Sequence, residues 1–143
     1  MDVRFNRTDL IGRIEKIASV KERIHLSNLD GIAFINKLNK SKMDTFIYLD
    51  PPYYQKGADL YMNFYSQSDH EKLSKQVHKM DNLWMVSYDN HDFILNLYPE
   101  QKKIINQLSQ AASNRIGDEI LIFSKDLILK DSLAKLNSAS LLE

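Results

Sequence analysis

The stretch Phe46-Ile47-Tyr48-Leu49-Asp50-Pro51-Pro52-Tyr53-Tyr54 constrains this chain more than any other. An apolar run meets an acid, two prolines and two tyrosines. Neither proline nitrogen can donate to a ladder and both prolines fix φ, so a strand cannot pass through Pro51-Pro52. The strand therefore stops at Asp50, and the tyrosines follow in a stiff loop. Open α/β sheets take their ligands beyond the carboxyl ends of their strands, which is where Asp50 falls.

The rest of the chain has to supply a sheet for that strand. A length of 143 residues suits one domain with a real core. Lysine plus arginine equals aspartate plus glutamate, giving a formal net charge of zero. Phosphate neutralisation supplies much of the affinity of a stand-alone nucleic-acid binder, so any DNA contact must come from a local patch or from another body. The absence of cysteine removes disulfides, thiolate metal sites and every cysteine nucleophile. His25, His70, His78 and His91 have no metal-ligand spacing, and no metal is expected. No apolar run approaches a membrane span and the amino terminus carries no signal-peptide core, so a soluble, cytoplasmic protein is expected.

Apolar periodicity predicts helices over 7–20, with Thr8 or Asp9 as cap, over 31–39, and over 68–80, capped by Ser68 or Asp69. The helix at 7–20 is flanked by Arg4, Arg7, Arg13 and Lys16, a solvated face or a phosphate-contacting one. A short helix capped by Asp89-Asn90 ends before Pro99. Strands are expected at 23–27, where the residues alternate, at 45–49, 83–88, 103–105 and 119–124. Residues 53–68 form a long aromatic loop, and such loops are uncommon unless they are lids or binding loops. Residues 108–118 read as a mobile connection, and the tail from 126 as helical or frayed. The resulting pattern is β-α-β-loop-α-β-α-β-β, an α/β domain with parallel strands and a closing pair.

Asp50, the carbonyl of Pro51 and the ring of Tyr53 suggest one ligand chemistry. A carboxylate and a rigid carbonyl are convergent acceptors, and a tyrosine beside them is a flat stacking surface. A planar heteroaromatic bearing an amino group, such as adenine, suits all three. Accepting both amino hydrogens draws the nitrogen lone pair out of conjugation, so it can attack an electrophilic methyl without an enzyme nucleophile. Cytosine C5 methylation, which needs a cysteine adduct, is excluded.

The stretch resembles the Asp-Pro-Pro-Tyr motif of the Dam-like, alpha-type DNA N6-adenine methyltransferases of phages and restriction systems. The flanks resemble that family too: Tyr61 and Phe64, then Asp69-His70 opening a helix, then Trp84-Met85-Val86-Ser87-Tyr88-Asp89, and Glu119-Ile120-Leu121-Ile122 as a late strand. The resemblance spans about residues 5 to 125. It implies a partial Rossmann-like, S-adenosylmethionine-dependent methyltransferase fold, with a mostly parallel sheet and a closing antiparallel pair. It also implies double-stranded DNA as partner, and Asp50, Pro51, Pro52 and Tyr53 as the catalytic motif acting on a flipped-out adenine. Tyr54, Tyr61 and Phe64 would wall the base pocket, and Arg115 would meet a phosphate or the flipped nucleotide. Asn28 and Asp30, at the end of the strand at 23–27, would lie with Asp50 near the cofactor. For Asp30 an ordinary helix cap stays open, as does packing under the loop for Tyr61 and Phe64.

The family also carries a glycine-rich cofactor loop after its first strand. Here Gly12, Gly31, Gly57 and Gly117 are isolated, and none makes such a loop. Most of the target-recognition domain is missing as well. The expectation is a partial catalytic domain over 1–125 with a tail over 126–143, completed by a separately encoded amino-terminal half or by a second copy. The other readings are a non-catalytic remnant or interaction module, and an amino-methyltransferase acting on RNA or protein. The latter enzymes usually carry asparagine where this chain has Asp50.

Overall fold

The computed structural model describes residues 6–41, 44–55, 57, 64–110, 115–129 and 139–142. The chain divides into two compact units, 1–30 and 31–143. In the first, helix α1 (Arg7–Ala18) matches the apolar period. Its cap is Asn6 rather than Thr8 or Asp9: the Asn6 Oδ1 accepts the amide of Asp9 at 3.2 Å. Asp9 instead occupies the first turn and pairs with Arg13 at 2.9 Å, one turn on. No residue of α1 is buried.

A single 3₁₀ turn over Lys21–Arg23 follows, and the strand expected at 23–27 does not form. Alternation makes a strand only where a neighbouring strand satisfies its amides and carbonyls, and among the described residues none pairs with this segment. Leu26 is left 94% exposed.

The second unit contains α2 (Gly31–Ser41), β1 (Ile47–Leu49), α3 (Gln67–Val77), β2 (Trp84–Asp89), α4 (Asp92–Leu97), β3 (Lys102–Gln110), β4 (Arg115–Phe123) and β5 (Ala139–Leu142). Helix α3 starts one residue before the expected cap. Ser66 takes that place, with its amide and hydroxyl both donating to the Asp69 carboxylate, which these bonds and Lys72 hold down to about 2. Helix α4 is capped by His91, whose Nδ1 accepts the Phe93 amide, and not by Asp89-Asn90.

The sheet order is β1-β2-β4-β3-β5. Only β1 and β2 pair parallel, through the crossover that contains α3, and the other three pairings are antiparallel. The expected mostly parallel sheet is thus not what forms. Strands β1, β2 and β3 do run in one direction, but β4 inserts between β2 and β3 and turns both contacts antiparallel. The β3–β4 ladder continues to Gln110 and Arg115, through part of the segment read as a mobile connection. Main-chain pairing holds it there, and composition does not report main-chain pairing. The tail returns as β5 on β3 rather than as a helix.

Strand β2 separates the two faces of the sheet. Trp84, Val86 and Tyr88 point into a core with Ile35 of α2, Leu73 and Val77 of α3 and Ile94 of α4. The register Val86–Ile122 and Tyr88–Ile120 adds two isoleucines of β4 to that face. The alternate residues of β2, Ser87 and Asp89, sit opposite Leu121 and Glu119 on the other face. Ser87 and Asp89 are nevertheless buried, at 0% and 6% exposure.

Candidate active site

Strand β1 stops at Leu49, and Pro51-Pro52 prevents its extension. Asp50 thus leaves the sheet next to β2. The buried Ser87 hydroxyl donates to Asp50 Oδ1 at 2.9 Å, and the Tyr48 hydroxyl lies 3.0 Å from the same serine oxygen. Among the described residues no other hydrogen bond reaches the Asp50 carboxylate or the carbonyl of Pro51. The Asp50 carboxylate is therefore only partly engaged.

The loop beyond the prolines is fastened by β2 and β4. Asp89 accepts the successive backbone amides of Tyr54 and Gln55, each at 2.7 Å, one on each carboxylate oxygen. The Tyr53 hydroxyl donates to Glu119 Oε1 at 2.8 Å. Burial pushes the Tyr53 phenol up, and the Glu119 hydrogen bond and the charges of Glu119 and Asp50 add to that, so it stays protonated. Gly57 folds back on the motif: a Cβ there would lie 3.7 Å from Pro52 Cβ and 3.8 Å from Phe64 Cβ. That contact brings Phe64 beside the motif, half-exposed.

Tyr54 turns elsewhere. Its ring stacks on Phe93 at 4.7 Å and meets His91 at 4.5 Å and His70 at 5.6 Å, while its hydroxyl takes a bond from Gln67 Nε2. The ring is thereby packed against α3 and α4. Beneath it His70 is fully buried, with Nδ1 3.0 Å from the Tyr88 hydroxyl and, among the described residues, no partner at Nε2. Burial pushes the His70 imidazole below its ordinary value, against the opposing charges of Asp89 and Asp69.

Of the sequence-predicted residues, Asp50, Pro51, Pro52, Tyr53 and Phe64 therefore come together at one end of β1. Asn28 and Asp30 belong to the first unit, exposed, without the strand expected to carry them. Tyr61 lies outside the described residues, and so does the side chain of Arg115, whose backbone opens β4 opposite Gln110. Sequence reasoning assigned no contact to Tyr48, Ser87 or Glu119, and read Asp89 only as a helix cap. Two polar residues, Ser87 and Asp89, at alternate positions of an otherwise apolar strand were the available signal.

The site has a partly engaged carboxylate at the end of β1 and an aromatic side chain next in the loop, and residues 3–113 match the model of the D12 class N6 adenine-specific DNA methyltransferases. The chain belongs to this family. No curated protein sequence matches it. Members of the D12 class methylate the amino group of adenine in DNA, and the family generally uses S-adenosylmethionine. The matched stretch contains the motif, Ser87 and Asp89, whereas Glu119 lies beyond it.

Among the described residues no glycine-rich loop is present to cradle that cofactor. A methionine cradle needs glycines where backbone and ligand touch. Gly12, Gly31 and Gly57 are isolated in the sequence, so they do not join in one such loop. None of the described glycines of this D12-class chain is therefore assigned to holding the methyl donor. Among the described residues no group of acids and histidines could hold a metal ion, and no helix is long and apolar enough to cross a membrane.

Proposed function

We propose that this chain holds the target adenine of double-stranded DNA for N6 methylation. The observation that carries this reading is the half-engaged carboxylate of Asp50 at the end of β1, with Oδ1 on Ser87 and no hydrogen bond to Oδ2 among the described residues. The base enters flipped out of the duplex, since its amino group is otherwise paired. Asp50 Oδ2 and the Pro51 carbonyl accept the two amino hydrogens, and the nitrogen lone pair leaves conjugation and becomes nucleophilic. Tyr53 supplies the stacking face, with Phe64 at the rim. One amino proton is lost as the new N–C bond forms, and Asp50 is its nearest acceptor. The family's methyl donor would come from a cradle that the described residues do not build. We place that cradle on a separate amino-terminal half or a second copy of the chain. The outer edge of β1, which pairs with no strand among the described residues, supports such an addition.

The lack of a glycine cradle favours a second reading, a non-catalytic module that keeps the base-binding loop. One experiment separates the two. Binding of S-adenosylmethionine and transfer of labelled methyl to adenine-containing duplex DNA are measured for the chain alone and with an amino-terminal half added in trans. Transfer abolished by Asp50→Ala supports the enzyme. Absence of binding and transfer in both arms leaves the module.

A further inference from the structure

The hydrogen bonds behind Asp50 have a direction. An ionised carboxylate can only accept, so the single hydrogen of the Ser87 hydroxyl is spent on Asp50 Oδ1. The hydrogen between Ser87 and Tyr48 must then come from the tyrosine. The result is a chain, Tyr48 O–H to Ser87 O–H to Asp50 Oδ1, that crosses from β1 to β2 and back. Each donor in such a chain polarises the next. Ser87 is fully buried in the middle of β2, so its oxygen is a fixed point, whereas Asp50 is exposed and Tyr48 is half-exposed.

An aspartate carboxylate rotates broadly about its last torsion. Untethered, Asp50 could turn both oxygens toward one amino group and leave the Pro51 carbonyl unused. We propose that Ser87 is a positioning residue for Asp50, with Tyr48 as the second link, and that the pair presents Oδ2 alone to the adenine amino group. This rests on the adenine reading above. It also bears on selectivity. With both hydroxyl hydrogens consumed inside the relay, Tyr48, Ser87 and Asp50 offer the base an acceptor and no donor. An amino group is satisfied there, and a keto oxygen at the same ring position faces two acceptors and is rejected.

The test uses the full chain as Ser87→Ala, Tyr48→Phe and the double variant, with two readouts. The first needs no turnover: the Asp50 carboxylate carbon resonance in protein labelled at aspartate carboxyls, assigned by its loss in Asp50→Asn. It moves in Ser87→Ala and, by less, in Tyr48→Phe. A resonance that stays fixed in both overturns the relay. Tyr48→Phe removes one oxygen from a half-exposed side chain, so its result stands even where Ser87→Ala folds poorly. The second readout is single-turnover methyl transfer at saturating DNA, with the added half if that is required. Ser87→Ala slows it about 10- to 100-fold, as expected of a displaced reacting group, while DNA affinity changes less than about 2-fold. Tyr48→Phe costs about 2- to 5-fold and nothing further on top of Ser87→Ala, because it acts through that residue. Additive losses, or an unaffected rate in Ser87→Ala, overturn the positioning role. If the wild-type chain transfers no methyl in either arm, the adenine reading fails, and the resonance still decides the relay.

Discussion

Tyr53 reaches across the sheet to Glu119 and ties the motif loop to β4 through a 2.8 Å hydrogen bond. The ring is thereby held at its far end as well as by its backbone. Tyr53→Phe keeps the ring and loses the tether, so a modest fall in methyl transfer is expected, about 3-fold, the scale of one net hydrogen bond. Glu119→Ala should match it, since both remove the same contact. Tyr53→Ala removes the stacking face, and base–aromatic stacking is worth about 1–3 kcal/mol. Binding of a duplex with an unpaired target adenine should weaken accordingly, by about 5- to 150-fold. Equal losses in Tyr53→Phe and Tyr53→Ala would show that the ring does not stack.

Asp89 acts on the same loop from β2. Its carboxylate takes two successive amides, Tyr54 and Gln55, and it is nearly buried. Hydrogen bonds to an ionised group contribute about 1.5–3 kcal/mol. Asp89→Asn keeps one acceptor oxygen and should lose about 1–2 kcal/mol. Asp89→Ala leaves both amides to find water and should lose about 2–3 kcal/mol. Urea denaturation measures the difference as a lowered midpoint with an unchanged slope. Wild-type stability in Asp89→Ala would mean that the loop does not depend on this clamp.

The two fastenings show what could be read from the sequence and what could not. The helices at 7–18 and 31–41 and the strands before Pro51 and at 84–89 follow from local signals: apolar period, an apolar run, a proline stop. Asp50 and Tyr53 were legible for the same reason, because two adjacent prolines end a strand whatever its neighbours do. The partners of the motif were not. Ser87, Asp89 and Glu119 lie 37, 35 and 66 residues from the atoms they hold, and only the β1–β2–β4 register brings them to one face. The alternation at 23–27 misled because a strand is a property of a pair. The polar run through 106–110 misled in the opposite direction, since its ladder with β4 is made by backbone rather than by side chains.

His70 makes the unit sensitive to acid. Its burial lowers the folded-state value below the ordinary 6.5, while the unfolded chain titrates near 6.5. As pH falls through 6.5 the unfolded chain takes up the proton first, so stability is present above that value and is lost below it. The urea midpoint should therefore fall between pH 6.5 and 5 in wild type. His70→Gln retains a group that can bond the Tyr88 hydroxyl and cannot titrate, so its midpoint should lose that component of the slope. An identical slope in both would assign the acid sensitivity to other groups.

At high pH the buried phenols dominate. Tyr88 and Tyr98 are fully buried, and burial pushes both well above the ordinary 10.0, as the Tyr98 charge does further for Tyr88. Below pH 10 both states keep these protons and stability is flat. Above it the unfolded chain releases them and the folded chain does not, so stability falls by about 1.4 kcal/mol per pH unit for each tyrosine. Two such groups remove about 3 kcal/mol per unit, a large share of the stability of a domain this size. Unfolding followed by circular dichroism should set in steeply between about pH 10 and 12. Tyr98→Phe deletes a buried phenol that the unfolded chain would ionise, so it should remove its share of the alkaline slope. Tyr88→Phe should also reduce the slope, but at a cost at neutral pH, because it takes away the partner of His70 Nδ1.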